Sequence, residues 1–133
     1  MKKNGFTLIE LLIVMAIITI LAGLSIFSMQ GARVAGRDAR RKGDLETIRS
    51  GIEMYKADCN VYPADGSLTA GSTLTASCPN AATYIQEVPG DPTGGSYCYD
   101  SAGVSYELCA TLEDVPASPE DCSGCGNYKV TNP

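Results

Sequence analysis

Residues 6–27 read FTLIELLIVMAIITILAGLSIF, twenty-two positions of which Glu10 alone is charged. As an α-helix rising about 1.5 Å per residue, such a run spans roughly 33 Å, enough for the hydrocarbon core of a bilayer. The five residues before it, MKKNG, are short, basic and polar. A secretory signal has a shorter apolar stretch followed by a small-residue cleavage site. Neither feature is present, so the segment reads as a retained membrane anchor. A carboxylate in hydrocarbon costs about 2.5–3.5 kcal/mol on insertion scales. Glu10, one turn in from Phe6, therefore either stays wet near the interface or awaits a cationic partner.

Outward from this run the chain divides by charge. Residues 1–57 hold nine Lys/Arg against five acids, a net of +4, while residues 58–133 hold Lys129 against ten acids, a net of −9. A basic stalk and an acidic head thus have different surroundings. Leu45, Ile48, Ile52 and Tyr55 recur at spacings of three, four and three, one face of a helix. Glu46/Arg49 and Glu53/Lys56 sit at i, i+3 on other faces. One helix is expected from about Phe6 to about Ala57, first a membrane span and then a stripe offered to a small sheet. Gly23, Gly31, Gly36, Gly43 and Gly51 punctuate it, each costing about 1 kcal/mol relative to Ala. Close packing explains such small residues; a segment around Gly23–Gly36 that loosens on assembly is the functional alternative.

The basic run Arg33–Lys42 invites a nucleic-acid reading. The acidic head and the lack of interleaved aromatics argue against it, so no nucleic-acid partner is expected. A solvated or salt-bridging face is favoured, with acids of neighbouring subunits as partners. On positive-inside counting, Lys2 and Lys3 before the span conflict with the cluster after it.

After Asp58 the texture turns to Gly, Pro, Ser and Thr. Asn60–Pro63 ends the helix, Ala64–Asn80 reads as a polar surface loop, and Tyr84–Val88 as a helical turn or strand. Ser96–Tyr99 and Ser105–Leu112 read as strands joined through Asp100–Val104, with Tyr128–Val130 a third. The expected fold class is α+β: a long N-terminal helix packed on a small antiparallel sheet. Four parts follow: a leader at 1–5, a span at 6–27, an amphipathic half-helix at 28–57 and a β-rich head at 58–133.

Cys59, Cys78, Cys98, Cys109, Cys122 and Cys125 all lie in the head. An even count in a small exported domain reads as a disulfide set, with fifteen possible pairings. Cys122-x-x-Cys125 lacks the second pair or histidine that would complete a zinc site, and nothing after it reads as the helix of a redox motif. A structural disulfide, local or to another cysteine, is the favoured reading. Glu113-Asp114 and Glu120-Asp121 are weak calcium candidates without EF-hand-like spacing, and a solvated acidic loop is preferred. With no histidine in the chain and no phosphate-binding loop, neither catalysis nor a cofactor is expected.

Gly5-Phe6-Thr7-Leu8-Ile9-Glu10, with a basic leader before and a long apolar helix after, resembles the processing signature of type IV pilins and type II secretion pseudopilins. The resemblance implies that a prepilin peptidase cuts between Gly5 and Phe6 and methylates the new Phe6 amine. It implies also that Glu10 pairs with the terminal amine of a neighbouring subunit. A buried carboxylate becomes tolerable beside a cation in the same low-dielectric setting. It further places the leader in the cytoplasm and the head outside. Tyr55-Lys56 with Val61-Tyr62-Pro63, and Val88-Pro89-x-Asp91-Pro92-x-Gly94-Gly95-x-Tyr97, resemble segments of the major pseudopilin. The Gly- and Asp-rich calcium loop of those proteins is not found near the C-terminus.

The first expectation is therefore a subunit of an extracellular type IV pilus, a helical homopolymer held in the membrane before the inner-membrane assembly machinery extracts it. The alternatives are a major pseudopilin of type II secretion, or a low-copy minor pilin in adhesion or DNA uptake.

Overall fold

The computed structural model describes residues 5–122 and 124–133; the leader positions 1–4 and Ser123 fall outside them. Two compact units result, residues 1–35 and residues 36–133. One helix, α1 (Leu8–Cys59), runs through the division. It starts two residues later than expected because Thr7 caps it. The Thr7 hydroxyl accepts the Glu10 backbone N–H at 3.3 Å, and the Glu10 carboxylate accepts the Thr7 N–H at 3.0 Å. This reciprocal capping box satisfies two donors that a helix start leaves open. At the other end Asn60 takes a positive φ of 61° and donates its N–H to the Lys56 carbonyl at 2.8 Å, and Pro63 prevents continuation.

In the second unit the stripe read from the sequence is the core. Leu45, Ile48 and Ile52 are wholly buried, and Tyr55 packs at its edge. Burial stabilises each aliphatic side chain by about 1.5–3 kcal/mol, so this face alone ties the helix to the head. Against it lies a sheet of β3 (Cys98–Ser101), β4 (Tyr106–Ala110) and β5 (Tyr128–Thr131), antiparallel and in that order. Tyr99, Leu108 and Val130 share one register row, with Leu108 and Val130 buried. The next row, Cys98, Cys109 and Lys129, belongs to the opposite face, because side chains alternate along a strand.

The stretch Ala64–Asn80, expected to be a loop, contributes one strand of a further hairpin, and the strand alternative at Tyr84–Val88 holds for its first two residues, which lie in the other. β1 (Leu74–Ala76) pairs antiparallel with β2 (Ala82–Ile85), and a bulge interrupts the register between Leu74 and Thr75. Its polar tip hid a three-residue strand. Gly51 makes the hairpin's approach to α1 possible: a Cβ there would overlap the Ile85 side chain, reaching its Cδ1 at 2.6 Å. Gly126 has a similar role, since a Cβ would stand 2.6 Å from the Ala110 carbonyl oxygen.

Candidate assembly site

The N-terminal unit offers a surface rather than a pocket. Gly5, Phe6 and Thr7 precede the helix, and Phe6 is 83% exposed. From Leu8 to Leu24 the large apolar residues are exposed on every side of α1. An 18-residue window of this helix has a mean hydropathy of 2.6 with none of it buried, long and apolar enough to cross a membrane. Soluble helices bury one stripe, whereas a helix apolar all round is built for lipid or for other helices. Glu10 is exposed on this surface, and its carboxylate also accepts the Thr7 hydroxyl at 2.8 Å. Thr7 thus supplies an intramolecular partner that neither sequence reading of Glu10 anticipated.

The head is fastened to the helix by a buried charge cluster. Arg41 is 2% exposed and Asp38 6%. The Arg41 guanidinium meets Asp91 in a two-pronged contact, Nε to Oδ2 at 2.6 Å and Nη2 to Oδ1 at 3.1 Å. Its Nη1 donates to Asp38 at 2.7 Å and to Glu113 at 2.9 Å. Asp38 in turn accepts the backbone N–H groups of Glu113 at 3.0 Å and Asp114 at 2.9 Å. Arg37 covers the outer side, donating through Nε to Glu113 at 2.6 Å and through Nη2 to the same carboxylate. One helical turn thereby holds both the Asp91 turn and the strand exit at Glu113.

The ionisations follow these contacts. The guanidiniums of Arg37 first and Arg41 second hold Glu113 at about 2. Arg41, with help from Thr93, holds Asp91 well below the ordinary carboxylate range. Burial pushes Asp38 up, but the N–H groups of Asp114 and Glu113 and the Arg41 guanidinium outweigh it, and its pKa falls. The arrangement contradicts the expectation that the basic run finds its acids in neighbouring subunits: Arg37 and Arg41 meet theirs within the chain. It also engages one calcium candidate, Glu113, with two arginines. Of the others, Asp114 donates its N–H to Asp38, and Glu120 accepts the Lys129 N–H at 2.9 Å. Among the described residues no group of three or more acids, cysteines or histidines is placed to hold a metal ion.

Tyrosines tie two further helix acids to the head. Tyr106 donates to Glu53 at 3.0 Å and Tyr97 to Asp44 at 2.8 Å. Burial first, and the carboxylate partner second, raise both phenol pKa values. All six cysteines are paired: Cys59–Cys78 ties the helix end to the β1–β2 tip, while Cys98–Cys125 and Cys109–Cys122 tie β3 and β4 to the C-terminal segment. Cys122 and Cys125 each pair with a strand rather than with one another.

The charge cluster was not singled out from the sequence, yet it was within reach. Asp38 and Arg41 continue the apolar stripe backwards at the same spacing: 38, 41, 45, 48, 52, 55. Charged residues at stripe positions imply partners brought by the packed head.

With this geometry in place, relatives can be compared. Residues 1–26 match the prokaryotic N-terminal methylation motif, and residues 29–121 match the family described as type II secretion system protein G. The type II secretion system core protein G of Klebsiella michiganensis is 33% identical over 139 residues, covering 98% of this chain and 96% of that protein. Its counterpart in Escherichia coli K12 is 30% identical, covering 90% and 88%. That of Aeromonas hydrophila is 30% identical, covering 96% and 95%. No solved structure matches the chain. The first expectation, a type IV pilus subunit, yields to the pseudopilin alternative, because the match continues past the N-terminal motif through most of the head. The chain belongs to the type II secretion system protein G family, a pseudopilin family within the type IV pilin class.

Proposed function

We propose that the mature chain is the major pseudopilin of a type II secretion system, a structural subunit that polymerises through α1 into a short filament driving protein export. The observation that carries this reading is the family match over residues 29–121, which follows the methylation motif at 1–26. A prepilin peptidase cuts between Gly5 and Phe6, where the chain is exposed and outside the helix, and methylates Phe6. The membrane holds residues 8–24 until the assembly machinery extracts them. In the filament the same surface is covered by neighbouring copies, and Glu10 pairs with the Phe6 amine of one of them.

Glu10→Gln separates capping from charge, because glutamine serves a capping box as well as glutamate. The expected outcome in a chromosomal replacement is normal processing to Phe6 by intact mass, a head of unchanged melting temperature, and loss of secretion of a substrate protein into the medium. Full secretion by the variant would remove Glu10 from the mechanism. Deletion of the chain that leaves secretion intact but abolishes surface pili would overturn the pseudopilin reading itself.

A further inference from the structure

Arg40 is left over when the head is fastened to its helix. Of the four arginines in residues 36–133, Arg37 and Arg41 are spent on Asp38, Asp91 and Glu113, and Arg49 leans on Glu46 at 3.6 Å. The Arg40 side chain is 65% exposed, against 3–35% for the other three. The one carboxylate it approaches among the described residues, Asp44, stands 3.8 Å away and already accepts the Tyr97 hydroxyl at 2.8 Å.

Matching acids lie further along the same helix face. A groove of about 760 Å³ runs between α1 and the β1–β2 hairpin, lined by Glu46, Thr47, Ser50 and Met54 on the helix and by Ile85 and Glu87 beside it. No lysine or arginine among the described residues lines it. Glu87 is exposed, and its carboxylate has no hydrogen-bond or ion-pair partner among the described residues. Positions 40, 47 and 54, seven residues apart, share one face of α1. Arg40 does not reach the groove of its own chain, because Thr47 stands about 10.5 Å further along the axis.

We propose that this groove receives Arg40 of a second copy of the chain, so that neighbouring subunits pack α1 beside α1, parallel and staggered by seven residues. The proposal rests on the filament reading and names the surfaces by which neighbouring subunits meet. Charge complementarity identifies the occupant: two carboxylates line the groove, and the loosest arginine of the unit projects from the same face. The period of that face sets the stagger. Gly36, Arg40, Gly43, Thr47, Ser50 and Met54 follow at intervals of four, three, four, three and four, the 3.5-residue repeat of helices that pack side by side. Such a face matches itself again after seven residues, which brings Arg40 of one copy level with Thr47 of the next, between Glu46 and Glu87. Gly36 and Gly43 let the backbones close up. A Cβ at either meets nothing within 4 Å in the chain itself, so the isolated fold does not call for glycine there. Because the two halves of the contact are different patches of one surface, the pairing passes from copy to copy without closing and generates an open helical array.

The test uses the full chain in filaments sheared from cells that overproduce it. Every native cysteine is in a disulfide, so a short bismaleimide reacts only with an introduced thiol. Arg40→Cys and Glu87→Cys are expressed as separate copies, one of them epitope-tagged. The expected product is a dimer joining the two variants through residues 40 and 87, at least about tenfold above that from either variant alone, since each alone offers half of the contact. Charge exchange gives the second readout. Arg40→Glu and Glu87→Arg should each lower filament yield at least about fivefold by setting like charges together, and their combination should recover it to within about twofold of the parent. Both side chains are exposed, so the melting temperature of the head should not move in any of the three. Equal cross-linking in either cysteine variant alone, capture of a different protein at position 87, or a double charge variant no better than the single ones would overturn the proposal, while filaments of the parent chain kept the filament reading standing. A parent chain that builds no filaments would overturn both.

Discussion

Replacing Arg41 with methionine tests how the head is held to its helix. The substitution keeps the aliphatic reach but removes a guanidinium that bonds Asp91, Asp38 and Glu113 from a position 2% exposed. Asp38 then stays buried with only backbone donors, and Asp91 with only Thr93. Breaking a buried ion pair by removing one partner costs about 3–5 kcal/mol, since an uncompensated charge remains. For a unit of this size that corresponds to a fall in melting temperature of roughly 15–30 °C. The assay is thermal unfolding of the solubilised chain followed by the near-ultraviolet circular dichroism of its tyrosines. Arg37→Met is the control: its side chain is 35% exposed, and an exposed pair contributes about 0–1 kcal/mol. The pH dependence supplies a second check. Asp38, Asp91 and Glu113 all have folded pKa values below their unfolded ones. Their contribution is therefore complete above the unfolded carboxylate values near 4 and is lost as pH falls from about 5 through 2. In the methionine variant the orphaned carboxylates gain by protonating, so the stability gap to the parent narrows over the same window. A loss under about 1 kcal/mol at pH 7, or a gap unchanged between pH 7 and pH 3, would refute the assignment of Arg41 as the central tie.

Gly51→Ala forces a methyl into Ile85 where α1 meets the β1–β2 hairpin. Overpacking of that kind costs about 1–3 kcal/mol, and faster hydrogen exchange confined to residues 74–85 would locate the damage. Removing Cys59–Cys78 by a double serine substitution opens a loop with a sequence separation of 19. Chain-entropy reasoning puts the loss at about 3 kcal/mol, to be read from the urea midpoint under non-reducing conditions, with no change expected in processing at Phe6.

The two halves of α1 were legible to different degrees because they answer to different partners. The large apolar residues from Leu8 to Leu24 lie on all sides of the helix, so no register with any other element had to be inferred, and a helix of membrane-crossing length could be read directly. The stripe at Leu45, Ile48 and Ile52 was equally plain, since helical periodicity reports a buried face whatever covers it. Reading stopped at Leu45 because Arg41 and Asp38 look like solvent residues until Asp91 and Glu113, some fifty and seventy positions away, are folded against them. Those contacts are set by the β4 register and the turn after Val88, which no local propensity encodes. The first strand of the hairpin, Leu74–Ala76, was missed for a related reason, and the second was given only as a turn-or-strand alternative at Tyr84–Val88. Three- and four-residue strands carry too little alternation to signal themselves, and what fixes them is a glycine on another element, Gly51, that lets Ile85 reach the core. The same logic bears on function. The strong signals in residues 1–57 concern two surfaces, the stripe that its own head covers and the exposed apolar one at 8–24, and the second is the surface on which the proposed filament reading rests. Which family the chain belongs to was decided by the head, where the family match extends through residue 121. A structural subunit of this kind carries its identity in how its head is fastened and presented. Variants of Arg41 should therefore impair assembly even with Glu10 and the processing site intact, because a detached head cannot set the spacing between neighbouring helices.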